Sequence, residues 1–214
     1  MNHLSTSASD LSAVQTLARA GISLEFQMPA TARAPLFPSP VHAASAGGLG
    51  RLAAEITIAC NGATDRMAER VVAALQVAAA DPILLSADQC IACPDSYARH
   101  VLYADPQRRF TILALVWSGG QFSPVHAHDT WCAYAVHHGA LAETLFRFDA
   151  ANEEAIPLRT ETRRAGYGCF AGSGLEQIHR LGNGGSEPAI SIHVYGVEAT
   201  QVCSHVNRVL DARN

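Results

Sequence analysis

The second half of the chain is a succession of short strands. From Arg108 onward the runs "RFTILALVW", "WCAYAVH", "ALAETLFRF", "AIPLRTETR", "AISIHVYGV" and "TQVCSHVNRVL" follow one another, with Gly, Pro or Asn between most of them. β-Branched and aromatic residues fit a pleated, half-buried surface, and the turn formers supply the tight connections. Short strands at this density predict an all-β barrel or sandwich. The first part of the chain has another texture. "DLSAVQTLARA", Asp10 to Ala20, predicts a short helix capped by Ser7, Ser9 or Asp10. Pro, Ala, Ser and Gly crowd Met28 to Gly50, which reads as a connection. "ATDRMAERVVAALQVAAAD", Ala63 to Asp81, spaces its apolar residues as an amphipathic helix, and a third short helix is expected near Ala87 to Cys93. The expected layout is one structural unit: a helical segment over 1–95 packed on a β-barrel over 96–214.

Charge and cysteine usage narrow the function. The net charge is −4 and no basic stripe occurs, which argues against nucleic acid and anionic membrane surfaces as partners. No run of ~18 apolar residues is present, so no membrane-spanning helix is expected. "MNHLSTSASD" lacks the basic and apolar regions of a secretory signal, so the expected location is cytoplasmic. The six cysteines, Cys60, Cys90, Cys93, Cys132, Cys169 and Cys203, are scattered and read as reduced thiols. Cys90 and Cys93 form a lone CxxC without a second pair or nearby histidines, a weak metal signal.

The stronger signal is "HAH". On a strand, residues two apart point the same way, so His126 and His128 aim at one point if that stretch is extended. Pro124 and Val125 favour an extended chain there. Two converging imidazoles make half of a metal site. Gly120, His126, His128, Cys132 and Gly139 fall at the spacing of the first cupin motif, except that Cys132 stands where that motif has a glutamate ligand. His179 and Asn183 resemble the second cupin motif, whose histidine is another ligand. The candidate metal set is His126, His128 and His179. In "SIHVY", Ser191, His193 and Tyr195 share one face of a strand and can form a hydrogen-bond chain ending at a phenol.

Taken together, these stretches resemble the cysteine dioxygenase type of thiol dioxygenase, a cupin-fold family. The resemblance runs from about Tyr97 to His205. "YAR" (Tyr97 to Arg99) is similar to the segment with the substrate-carboxylate arginine. "RFTILALVWSGG" leads into "HAH", "GALAETLF" follows the first motif, "QIHRLGN" carries the third histidine, and "SIHVYG" carries the Ser-His-Tyr triad. The resemblance implies a mainly β, jelly-roll-like cupin barrel with N-terminal helices. It implies Fe(II) on His126, His128 and His179 and oxidation of L-cysteine by O2 to cysteine sulfinic acid, a step of cysteine catabolism. Three neutral imidazoles leave the ion its full charge, so a substrate thiolate can supply the anion that a glutamate would otherwise bring.

The resemblance also assigns roles. Arg99 would hold the substrate carboxylate as a bidentate fork, assisted by Tyr97. Tyr195 would orient or protonate oxygen, with His193 and Ser191 behind it. Animal cysteine dioxygenases link a cysteine at about the Cys132 position through sulfur to the triad tyrosine, so a Cys132–Tyr195 thioether is a candidate, although Cys132 lies one residue closer to the HxH than in the animal pattern. Trp117 and Trp131 read as packing, and His137 and His138 as peripheral. Two substrates compete with cysteine. The 3-mercaptopropionate enzymes have glutamine at the Arg99 position and an arginine near the C-terminal end of the barrel, where this chain has Cys203 or Ser204, though "SIHVYG" and "HVLYADPQRRF" have the texture of those bacterial enzymes. Mercaptosuccinate has two carboxylates and also needs an arginine. From another class, three histidines and a water suit zinc, as in a hydrolytic or binding cupin. Such a cupin has no need of both the SxHxY strand and Arg99.

Overall fold

The computed structural model describes residues 47–62 and 66–213. The helix expected over Asp10–Ala20 and most of the 28–50 connection lie outside the described residues. Among the described residues two helices come first: α1, Gly48–Asn61, and α2, Met67–Ala79. The sequence reading anticipated α2 but not α1. Leu52, Ile56 and Ala59 recur at i, i+4 and i+7 in α1 and are buried, so its apolar stripe is short but helical. The third expected helix is a single 3₁₀ turn, Ala87–Cys90, with a Ser86–Gln89 capping box.

Ten strands follow: β1 Ala98–Ala104, β2 Thr111–Trp117, β3 His126–His128, β4 Cys132–His138, β5 Ala140–Asp149, β6 Glu154–Arg164, β7 Gly168–Ala171, β8 Gly174–Gly182, β9 Ala189–Tyr195 and β10 Asn207–Val209. They form two five-stranded sheets, ordered β1-β2-β9-β4-β7 and β10-β3-β8-β5-β6, and the pairs within them are antiparallel. This is the mainly β cupin architecture. The expected barrel is two sheets rather than a hydrogen-bonded closed cylinder. The first sheet is covered on both sides. Ile112, Ala114, Ala133, Ala135, Ile192 and Val194 pack under α1 and α2, while Leu113, Leu115, Trp117, Tyr134 and Val136 face the space between the sheets. That double coverage explains why "TILALVW" has no polar alternation: every residue of β2 is buried.

Both glycines of the first motif sit at positive φ, Gly120 at 79° and Gly139 at 73°. A side chain is disfavoured there, and Gly139 makes the turn by which β4 passes into β5 of the other sheet. Asn183 of the second motif is buried. Its amide donates to the Trp117 and Glu187 carbonyls at 3.0 and 2.8 Å and accepts from the Gly185 N–H at 2.9 Å. It thus ties the end of β8 to the end of β2 across the sheets.

The run "TQVCSHVNRVL" is not one strand: only Asn207–Val209 pairs, and Ala199–Gln201 is a 3₁₀ turn. The residues between them close turns through the Ser204 and His205 N–H groups onto the Gln201 carbonyl.

Candidate metal centre

His126 and His128 enter from β3 and His179 from β8, where it lies opposite His126. Their ligand-capable nitrogens lie within 4.8 Å of one another, and ring centroids are 4.6–5.2 Å apart. All three are buried. Burial first, and then the neighbouring His179, hold His126 well below the ordinary imidazole range and bring His128 down to about 4. Neutral imidazoles with free lone pairs are what a cation needs.

Two of the rings are fixed from behind. His126 Nδ1 lies 2.9 Å from the Pro124 carbonyl, and His179 Nδ1 lies 2.8 Å from Glu143 Oε1. An acceptor at Nδ1 places the proton there and leaves Nε2 as the ligand atom. The donor set, its mutual spacing and these outer partners fit a divalent first-row metal ion; imidazole suits iron and zinc alike.

Glu143 was not anticipated as a site residue. It sits inside "GALAETLF", and only the β5–β8 pairing brings it behind His179. It is 3% exposed and also accepts from Arg163 Nε at 2.8 Å. Burial pushes its carboxyl up, but the bonds from His179 and Arg163 together outweigh that and hold it below its ordinary range. Arg163 in turn pairs with Glu161 and lies 4.2 Å over the Tyr167 ring. The site therefore has a carboxylate after all, placed one bond behind the histidine and balanced by a guanidinium.

The triad lines the facing sheet. Ser191 Oγ is 2.8 Å from His193 Nε2, and His193 Nδ1 is 3.2 Å from the Tyr195 hydroxyl. Trp117, expected to serve packing alone, also donates its indole N–H to Ser191 Oγ at 2.9 Å. That donor sets the polarity. Ser191 accepts from Trp117 and can donate to His193 Nε2; His193 then donates from Nδ1 to Tyr195, whose proton is left for the pocket. The reverse polarity would strand the Ser191 hydroxyl hydrogen in a fully buried position. Burial holds His193 neutral, at about 3, and keeps Tyr195 well above its ordinary value and so protonated.

Tyr97 stacks on Trp117 with centroids 4.3 Å apart and lines the same small cavity as Tyr195 and the three histidines. The Arg99 guanidinium lies 5.8 Å from the Tyr97 ring centre, and its Nη1 contacts Cys203 Sγ at 3.7 Å. Burial opposes the Arg99 charge, and the Tyr97 and Tyr195 phenols and the Cys203 thiol more than offset it. Cys132 is directly opposite Tyr195 in the β4–β9 register, so the two side chains leave the sheet on one face. Burial raises the Cys132 thiol well above its ordinary value. His137 bonds the Ala79 carbonyl at 2.8 Å at the end of α2, and His138 is exposed; neither joins the cluster. Cys90 and Cys93 belong to no metal-binding group among the described residues.

Two spaces meet at the histidines. The small cavity, about 20 Å³, lies toward Tyr97 and Tyr195. A larger one, about 300 Å³, lies toward Glu143, Arg163, Tyr167 and Leu145. His128, His179, Cys132 and Tyr134 border both.

Residues 71–208 match the protein family described as cysteine dioxygenase type I. Among solved structures, a conserved protein with a double-stranded β-helix domain from Klebsiella pneumoniae is 19% identical, with a TM-score of 0.41 over 54% of this chain and 84% of that one. Oxalate oxidase in complex with the substrate analogue glycolate is 17% identical, with a TM-score of 0.39 over 55% of this chain and 61% of that one. A cupin domain of a transcriptional regulator from Enterobacter cloacae is 17% identical, with a TM-score of 0.36 over 47% and 95%.

Proposed function

The chain belongs to the cysteine dioxygenase type I family, and from that premise we propose that it oxidises a small thiol carboxylate, L-cysteine, to the sulfinic acid with O2 at Fe(II) on His126, His128 and His179. The observation that carries the reading is the meeting of two constellations across one gap. The three histidines come from one sheet, and the Trp117–Ser191–His193–Tyr195 chain with Arg99 comes from the other.

When bound, iron supplies the redox chemistry that joins the thiol sulfur to both oxygen atoms, RSH + O2 → RSO2H. The chain supplies the rest. Arg99 binds the carboxylate as a fork, displacing the Cys203 contact. Tyr195 directs its hydroxyl proton at an oxygen of the nascent sulfinate, and His193 keeps that hydroxyl oriented. Trp117 and Ser191 fix the His193 tautomer. Neutral histidines leave the cation's charge for the substrate thiolate, and Arg163 prevents Glu143 from cancelling it.

Cysteine is favoured over 3-mercaptopropionate because an arginine occupies position 99 and the C-terminal position that would carry the alternative arginine holds Cys203 or Ser204, of which Cys203 contacts Arg99. The reaction needs no nucleic-acid or membrane partner, and a cytoplasmic location fits it. The test is O2 consumption by iron-loaded protein with L-cysteine, 3-mercaptopropionate and mercaptosuccinate, compared by kcat/KM. Cysteine should win. A tenfold preference for 3-mercaptopropionate, about 1.4 kcal/mol, would move the carboxylate away from Arg99, and the same preference for mercaptosuccinate would keep Arg99 and overturn cysteine as the substrate. Stoichiometric zinc in protein purified without added metal, with no thiol-dependent O2 uptake, would overturn the reading in favour of a zinc cupin.

A further inference from the structure

The three histidines are not equally supported. His126 has the Pro124 carbonyl behind Nδ1, and His179 has Glu143. His128 Nδ1 is buried and has no hydrogen-bond partner among the described residues. If Nε2 of His128 presents its lone pair to the metal, the neutral ring must carry its proton on Nδ1, and that N–H needs an acceptor. A second buried polar atom in the same state is Asn207 Oδ1, an acceptor without a donor. Asn207 is the antiparallel partner of His128 in the β10–β3 register, and both residues border the small cavity. Side chains of directly opposed residues leave the sheet on the same face about 5 Å apart. The two unpartnered atoms, one in need of an acceptor and the other of a donor, thus belong to directly opposed side chains.

We propose that Asn207 is the positioning residue for His128, accepting the Nδ1 proton when a metal ion holds Nε2. The inference rests on the metal reading above and adds to it: each ligand then has one outer acceptor, a backbone carbonyl, a carboxylate and an amide. It also gives β10 a purpose. This strand has only three residues and pairs at the edge of its sheet with β3 alone. It places one amide behind one ligand.

The test uses the full chain stripped of metal, with Co(II) as the probe. Affinity is read by competition with a chromophoric chelator, and the imidazole N–H protons are read as exchangeable, paramagnetically shifted signals in the NMR spectrum. The variants are Asn207→Leu, which removes the acceptor, and Asn207→Asp, which keeps one. Wild type should bind Co(II) with three slowly exchanging imidazole N–H signals. Asn207→Leu should bind ten- to a hundredfold more weakly and keep only two, whereas Asn207→Asp should stay within threefold of wild type and keep three. Three protected signals and unchanged affinity in Asn207→Leu would overturn the inference while leaving the metal site standing. Equal losses in both variants would also overturn it, since the strand and not the acceptor would then matter. Failure of wild type to bind Co(II) would remove the metal reading and the inference with it.

Discussion

Replacing Glu143 separates what holds the metal from what holds the fold. The carboxylate accepts one bond from His179 and one from Arg163, each 2.8 Å, in a position 3% exposed. In Glu143→Leu the His179 ring loses its acceptor and its orientation. Removing an outer partner of a ligand histidine costs ten- to a hundredfold in metal affinity, or about 1.4–2.7 kcal/mol. The metal-free fold also suffers, because Arg163 loses its buried partner. Such a loss costs about 3–5 kcal/mol, and about 3 is expected here since Arg163 keeps Glu161 and the Tyr167 ring. Glu143→Gln keeps an oxygen for His179 but turns an amide N–H₂ toward Arg163, so it should lose less metal affinity than stability. The double variant Glu143→Leu/Arg163→Leu should recover most of the stability and none of the affinity. Chelator competition measures the first quantity and urea unfolding of metal-free protein the second. Wild-type metal affinity in Glu143→Leu would refute the argument that this carboxylate orients His179.

Three further outcomes follow from the geometry. Arg99→Ala should lower kcat/KM for a carboxylate thiol by about 2–4 kcal/mol, roughly 30- to 900-fold, with metal content unchanged; unaltered kinetics would place the carboxylate elsewhere. If Cys132 and Tyr195 join through sulfur, turnover should produce a mass deficit of about 2 Da mapped to those two peptides, from loss of the thiol hydrogen and one ring hydrogen to O2, and unmodified peptides from active enzyme would remove the idea. The metal-free protein should lose stability as pH falls from about 6.5 toward 4. His128 and His193 are neutral in the fold, with values near 4 and 3, so the unfolded chain binds their protons first; each unit of difference is about 1.36 kcal/mol. A flat urea midpoint across that range would contradict the burial of neutral imidazoles.

The sequence discloses what lies within one strand and conceals what lies between strands. Period-2 spacing places His126 beside His128 and lines up Ser191, His193 and Tyr195, because alternation is a local property of extended backbone. Trp117 on Ser191, Glu143 behind His179 and Asn207 opposite His128 are pairings of residues 74, 36 and 79 positions apart. They depend on strand order and register, which hydrophobic patterning does not encode pair by pair. Helix α1 is hidden in the sequence for a related reason. Its apolar stripe is short, and the helix rests on burial under α2 and against the outer face of the first sheet. In the C-terminal run "VCSHV" has strand-like residues, but hydrogen bonds onto the Gln201 carbonyl turn the chain there.

The two sheets divide the candidate site between them. Every candidate ligand stands on β3 or β8, and the outer partners Glu143 and Asn207 stand on their neighbours β5 and β10, all in one sheet. Arg99, Trp117, Cys132 and the Ser191–His193–Tyr195 chain stand on β1, β2, β4 and β9 of the other. Sheets packed face to face lie about 10 Å apart, the span of two side chains meeting end to end. In the proposed reaction, a substrate held by a metal on one side and by Arg99 on the other would be measured against that gap. Asn183, just past the end of β8 of the histidine-bearing sheet, bonds the carbonyl of Trp117, whose indole begins the hydrogen-bond chain on the facing sheet. The same asparagine that marks the second motif thus helps fix the distance between the sheets, over which sulfur, oxygen and the Tyr195 hydroxyl would meet in the proposed reaction.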